Sequence, residues 1–274
     1  MATADPEQLR EWLDTLYLRY NRRESARSDP VAFLYDYEDP QDREVVGLVA
    51  SSLAYGRVAQ ILRSVGSVLD RLGPGPAGTL RSATEAELSG ELRGFRHRFQ
   101  TDRQLVALLL GVQSLLRKRG SLRACFVRGL RDGHQTVLPA MRAFVAELGE
   151  AAGGQCGHLL PDPSKASACK RLHLFLRWMV RRDDVDPGGW DDVPPAKLMV
   201  PLDTHMHRVG LALGATRKRT AGLAAAIELT EAFRRVQPAD PVKYDFAITR
   251  LGIRRDADLG GFLAACRSQG AADA

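Results

Sequence analysis

The sequence predicts an all-α protein, and three observations carry that prediction. Apolar residues recur at helical spacing in one segment after another, helix start and stop residues bracket those segments, and strand patterns are scarce. In "DPEQLREWLDTLYLRY", Asp5 is placed to cap a helix and Pro6 suits its first turn. Leu9, Trp12, Leu13, Leu16, Tyr17 and Tyr20 then share one stripe. "DREVVGLVASSLAYGRVAQILRSVGSVLDRLG" is apolar over several turns and breaks near Tyr55-Gly56 before resuming. "TDRQLVALLLGVQSLLRKRG" has Thr101 or Asp102 to cap it and Gly120 to stop it. Further helices are predicted over 121–131, 134–149, 164–182, 203–213, 220–236 and 240–250, for about ten in all. Asp240-Pro241 opens the last of them. Only "KLMVPL" reads as extended, and Pro201 truncates it.

Stretches at 72–80, 149–167 and 183–195 are rich in Gly, Pro and Asp and read as linkers. The second divides the chain into two helical lobes, residues 30–150 and residues 1–29 with 151–274, with a cleft between them. A chain of 274 residues is long enough to bury a substantial core in that arrangement. The formal charge of +6 is compatible with a polyanionic partner without requiring one. Basic runs at 96–98, 117–119, 177–182 and 217–219 are either solvated helix faces or phosphate contacts. The four cysteines (Cys125, Cys156, Cys169, Cys266) form no CxxC pair, which argues against a zinc or iron–sulfur site. No apolar run suffices to cross a bilayer, and "MATADPEQLREW" does not read as a secretory signal. The expectation is a soluble cytoplasmic monomer with no membrane contact and no cofactor.

"MVPLDTHMHRVGLALG" poses the question on which function turns. On a strand, Asp203, His205 and His207 would point the same way and could bind a metal, making a metal-dependent hydrolase. That site needs further ligands from later strands, and no histidine follows His207. On a helix the three diverge, and Asp203 becomes an N-cap whose carboxylate accepts otherwise unpaired amides. Capping alone would leave Asp203 with no chemistry.

The segment "VPLDTHMHRVGLALG" resembles the part of the helix-hairpin-helix DNA glycosylases that carries their catalytic aspartate at a helix start. "SACKRLHLFLRWMVRR" resembles the helix that bears the catalytic lysine of the lyase-active members, with Lys170 at its start. "DREVVGLVASSLAYGRVAQI" is similar to the helix and turn that insert side chains into the duplex. Taken with "DPVKYDFAITRLGI", the pattern is identified as that of a little-characterised bacterial and archaeal family, DUF2400, a distant branch of those glycosylases. Among characterised members it is most similar to the archaeal 8-oxoguanine type. The resemblance covers most of residues 30–255, but only the Lys170 and Asp203 segments are specific. "LLPDPSKASAC" lacks the glycine hairpin that the commonest members place before the lysine, so DNA must be anchored differently. Asp203 follows Lys170 by 33 residues, a longer gap than usual and one shared by the archaeal type, and the iron–sulfur cysteines of the endonuclease III branch are absent.

The resemblance implies excision of a damaged base from duplex DNA, such as 8-oxoguanine, with strand incision through a lysine Schiff base. Lys170 would attack C1′, and Asp203 would stabilise positive charge developing on the sugar. A lysine nucleophile needs its proton removed readily, and Arg171 and Arg177 with an apolar setting favour that. Without the resemblance, Lys170 would be an ordinary solvated lysine. Tyr55 or Arg57 would be the wedge that fills the gap left by a flipped base, unless Tyr55 is a core aromatic. Asp245 would read a purine edge or, failing that, pair internally with Lys243, Arg250 or another arginine. Trp178, Trp190 or Phe246 would stack on the base. Ser51, Thr204 and His205 are further expected contacts, in a nucleoid-associated enzyme. The competing expectation is a non-catalytic nucleic-acid-binding protein on the same fold.

Overall fold

The computed structural model describes residues 6–253, and proline, glycine and short polar caps set most of its helix ends. The Asp5 cap and Cys266 lie outside the described residues. Helix α1 (Pro6–Tyr20) and the single turn α2 (Arg23–Ala26) lead through a 3-10 segment (Pro30–Asp36) into α3 (Pro40–Ser52). Then follow α4 (Val58–Leu72), α5 (Pro76–Ser82), α6 (Glu85–Glu91) and a short antiparallel hairpin, β1 (Arg96–His97) with β2 (Gln100–Thr101). The remaining helices are α7 (Asp102–Arg119), α8 (Leu122–Val127), α9 (Leu138–Ala151), α10 (Lys170–Val180), α11 (Thr204–Ala212), α12 (Leu223–Val236) and α13 (Asp245–Ile253). The chain is mostly helical, as the periodicity requires.

Local chemistry explains the ends. Asp39 accepts from the amides of Gln41 and Asp42 at 2.8 and 3.0 Å, and Pro40 occupies the first turn of α3. Gln104 caps α7 by accepting from the Thr101 amide at 2.9 Å, and Gly120 ends it at φ 83°. The break at Tyr55-Gly56 separates α3 from α4, with Gly56 at φ 102°.

Several predicted boundaries move. The linker at 72–80 holds the start of α5, because Pro76 sits in that helix's first turn, where a missing N–H costs nothing. "KLMVPL" joins no sheet. Leu198, Met199 and Val200 are buried as irregular chain, and the Val200 amide donates to Thr230 Oγ1 at 3.1 Å. The sheet lies instead at 96–101, and its first strand falls in the predicted basic run at 96–98. The helix expected over 164–182 begins only at Lys170, since Cys169 adopts a left-handed conformation at φ 44°. The helix expected from Asp240 begins at Asp245, because Asp240 is held by Arg181 Nε at 2.8 Å within a turn.

Buried side chains form one contiguous cluster that runs from Leu13 to Ile248. Within it α7 packs closely on α9, and α10 on α3. Gly47 permits the close approach, since a Cβ there would lie 3.0 Å from Met179 Cε. Phe175 meets Trp190 edge-on at 5.3 Å, and Trp190 leans on Phe126 at 5.4 Å. The Trp190 indole donates to buried Glu44 at 3.0 Å. Trp190 is therefore a core aromatic and not a stacking surface for a base. The N-terminal helix returns to the C-terminal elements, where Asp14 accepts from Lys243 at 2.6 Å and from the Tyr244 hydroxyl at 3.0 Å. Among the described residues no helix is long and apolar enough to cross a membrane.

Candidate active site

Lys170 is the first residue of α10, and Asp203 caps α11. The 32 residues between them fold back so that Lys170 Nζ lies 2.9 Å from Asp203 Oδ2. The other carboxylate oxygen, Oδ1, accepts the Met206 amide at 2.8 Å. One oxygen therefore secures the helix and the other faces the lysine. About a third of each side chain stays exposed (34% and 29%), so a substrate can reach the pair.

Burial pushes the Asp203 carboxyl up, but the Lys170 ammonium, the Met206 amide and His205 outweigh it, and its pKa falls below the usual carboxylate range. The group's stabilising effect is thus present above the unfolded value and lost as pH falls through the lower folded value. Removing the ammonium leaves burial less opposed. In Lys170→Gln, the carbon-13 titration midpoint of Asp203 should move upward, and an unchanged midpoint would show that the two groups are uncoupled.

The pair stands between two clefts. One is a cavity of about 330 Å³, walled by Leu174, Trp178, Phe246 and Ile61 and bordered by Arg177 and Asp245. The other opens past Arg171, Ser167 and Thr204. Ala54, Tyr55 and Gly56 border both, so the turn after α3 forms a shared rim. A volume near 330 Å³ is at the lower end of small-molecule sites, roughly 300–1,000 Å³.

The cavity's charged border is internally paired. Arg177 is buried and bonds Asp186 through Nε at 3.1 Å, and Asp245 through Nη1. Burial opposes its charge, yet Asp186 and Asp245 hold its pKa above the usual arginine value. Burial raises the Asp245 carboxyl against the pull of Arg177. Asp245 thus takes an internal partner, an arginine other than Arg250, while still bordering the cavity. With two carboxylates beside it, Arg177 is not the uncompensated cation expected to help deprotonate Lys170. Arg171, half-buried, donates to the backbone carbonyls of Ser52 at 2.7 Å and of His158, and among the described residues it forms no salt bridge.

The chain matches, over residues 29–254, the model of the family described as "Protein of unknown function (DUF2400)". It belongs to that family. No curated protein and no solved structure matches. The matched span of this DUF2400 chain contains every residue that borders the cavity, from Asp29 to Thr249.

Other sequence-predicted residues fall in different places. Ser51 is buried, its hydroxyl bonded to the Leu48 carbonyl of its own helix at 3.1 Å, so it is no substrate contact. Tyr55 is half-buried, its hydroxyl donating to the His97 carbonyl at 3.2 Å, so in this structure it is anchored to the hairpin. Arg57 is exposed before α4. Trp178 and Phe246 are buried walls of the cavity. Thr204 is exposed beside Asp203. His205 and His207 point apart, their Nε2 atoms bonded to the carbonyls of Ile248 at 3.2 Å and Lys218 at 2.8 Å. The described residues contain no group of three or more His, Cys, Asp or Glu able to hold a metal ion.

Two features of this DUF2400 protein escaped sequence reasoning. Asp186, in a stretch read as a linker, is fully buried between Arg177 and Arg181, and burial pushes its carboxyl up to about 6 against both arginines. Cys169 takes a left-handed conformation immediately before Lys170, which costs a non-glycine residue roughly 1–2 kcal/mol and fixes where α10 starts.

Proposed function

We propose that this chain is a DNA glycosylase with associated abasic-site lyase activity, a distant relative of the helix-hairpin-helix glycosylases. Its substrate is duplex DNA bearing a damaged base, an oxidised purine such as 8-oxoguanine. The fold is then a two-lobed, all-α arrangement with the site in the cleft, acting as a nucleoid-associated monomer. One observation carries this reading. A lysine and a carboxylate, 2.9 Å apart and reachable from solvent, stand at the mouth of an aromatic-walled cavity.

Each group has a role in a balanced sequence. Lys170 gives up a proton to Asp203, its contact partner, and the free amine attacks C1′ of the deoxyribose. The C1′–N bond breaks and its electron pair leaves with the base, which takes the proton from Asp203. Asp203, again a carboxylate, stabilises the positive charge building on the sugar. A second nitrogen proton passes to O4′ as the C1′–O4′ bond opens and the nitrogen lone pair forms the C1′=N bond of a protonated Schiff base. Removal of a C2′ proton then expels the 3′ phosphate and nicks the strand. Trp178 and Phe246 line the space where a flipped base would lie, while Asp245 and Arg177 supply polar edges.

Borohydride reduction tests this directly. Duplexes carrying single defined lesions, and an abasic duplex, are incubated with the protein and reductant, and a covalent protein–DNA band is expected. Absence of the band on every substrate would favour the second reading, a non-catalytic nucleic-acid-binding protein. That reading has its own support: Arg57 and Arg98 are exposed beside the Tyr55-Gly56 rim, Arg93 and Arg96 are exposed in the same stretch of chain as Arg98, and none of the four forms a salt bridge among the described residues.

A further inference from the structure

The hairpin at the cavity rim is built as a rigid post. Arg96 pairs with Thr101 and His97 with Gln100, leaving Arg98 and Phe99 as a two-residue turn. Such turns favour Asn-Gly or another glycine pair, because the backbone must enter the left-handed region. Here Arg98 adopts φ 54° without being glycine.

The base of the post is locked. His97 is fully buried, with Nδ1 2.9 Å from Ser64 Oγ and Nε2 3.1 Å from the Tyr55 carbonyl. Burial lowers its pKa, and a neutral imidazole meets both contacts, donating from Nε2 and accepting at Nδ1. The Tyr55 ring stands edge-on to the imidazole at 4.7 Å, and its hydroxyl returns a bond to the His97 carbonyl. Gly56 lets the rim and the post touch, since a Cβ there would lie 3.1 Å from Arg98 Cδ.

Above that buried base, Phe99 is 77% exposed, the highest value among the exposed large apolar residues described. Arg93, Arg96, Arg98 and Arg103 accompany it in the segment "RGFRHRFQTDR", with Asp102 the lone acidic residue. Arg57 lies across the Gly56 turn. Among the described residues none of these five guanidiniums forms a salt bridge, and Asp102 instead accepts the amides of Gly94 and Arg103 at 2.8 Å. An exposed apolar ring at the tip of a hairpin with a fixed base, with the Arg98 guanidinium 5.5 Å from its centre and further arginines in the same segment, suits one kind of partner, a polyanion that offers stacked aromatic faces.

We propose that Phe99 inserts into the base stack of duplex DNA beside the cavity, filling the gap left when a base turns toward Lys170. Arg57, Arg96 and Arg98 hold the flanking phosphates. Tyr55, one of the two residues the sequence offered as wedge, is the latch that keeps the post upright. The choice of duplex DNA rests on the proposed function, while the insertion can be judged separately.

The test uses the full chain carrying Lys170→Gln, so that binding is read without chemistry. The probe is a duplex with a stable abasic analogue next to 2-aminopurine. Binding should change the 2-aminopurine fluorescence as the ring enters the stack. Phe99→Ala should abolish that change and weaken duplex binding by roughly tenfold, whereas Phe99→Trp keeps both. The same oligonucleotide as a single strand has no gap to fill, so the alanine variant should lose much less there. A full fluorescence change in Phe99→Ala, an equal loss on both forms, or no duplex binding at all would overturn the insertion. Because the side chain is exposed, its removal does not threaten the fold. Borohydride trapping by the chain with Lys170 intact is scored apart. Its failure with the insertion signal present rejects the glycosylase and leaves the insertion standing.

Discussion

Lys170→Gln is expected to eliminate borohydride trapping on damaged and abasic duplexes while DNA binding persists. The nucleophile is lost, but the exposed arginines at the rim are untouched. Asp203→Asn is the complementary change. Asparagine caps a helix about as well as aspartate, so the bond from the Met206 amide and the start of α11 should survive. What disappears is the negative charge facing Lys170 and the developing sugar cation. Removal of one well-placed electrostatic stabiliser costs roughly 10²–10³ in rate. Single-turnover base release should therefore fall by about that factor, with a melting temperature close to that of the parent. Full activity in both variants would reject the assignment of the pair. A fall in activity that tracks loss of folded protein would reduce Asp203 to a cap.

The pairing of these two residues was anticipated through the resemblance, which set each at a helix start, and short-range signals independently marked only the start at Asp203. The Val200-Pro201-Leu202 run ends one segment and Asp203 opens another, so the carboxylate was placed at a helix end before its partner was known. The break at Tyr55-Gly56 was legible for a similar reason, a glycine at φ 102°. The hairpin was not. Strands of two residues have no period to detect, and "RHRFQT" reads first as a basic run. Ser51 was misplaced because every residue from Glu44 to Ser52 in α3 is buried, so position on the helix could not tell core from cleft. Asp186 was invisible for a deeper reason. An Asp-rich, Gly-Pro-rich stretch looks solvated unless one knows that two arginines are buried where it returns.

That last point carries the largest expected effect on stability. Asp186 is fully buried, 3.0 Å from Arg177 Nη2 and in contact with Arg181 Nη1. Arg181 is also held by Asp183 and Asp240, each at 2.8 Å, and Arg177 by Asp245. Two cations and four carboxylates thus tie α10 to the loop after it and to the approach to α13. Water cannot replace a lost member, because the guanidiniums are themselves buried. Breaking a buried ion pair from one side costs about 3–5 kcal/mol where it leaves the other charge unpaired. Arg177 keeps Asp245 and Arg181 keeps Asp183 and Asp240, so Asp186→Ala should destabilise the protein by about 3 kcal/mol, the low end of that range, in urea denaturation. Asp191→Ala is the control from the same loop: its partner Arg182 lies 3.7 Å away and both side chains are largely exposed, so no measurable change is expected. The two variants behaving alike would mean that the network adds nothing to folding. Arg177 borders the cavity as well as the network, so Asp186→Ala should also slow base release at temperatures where the variant remains folded. Normal turnover in a destabilised Asp186→Ala would confine the network to holding the fold and separate it from the site.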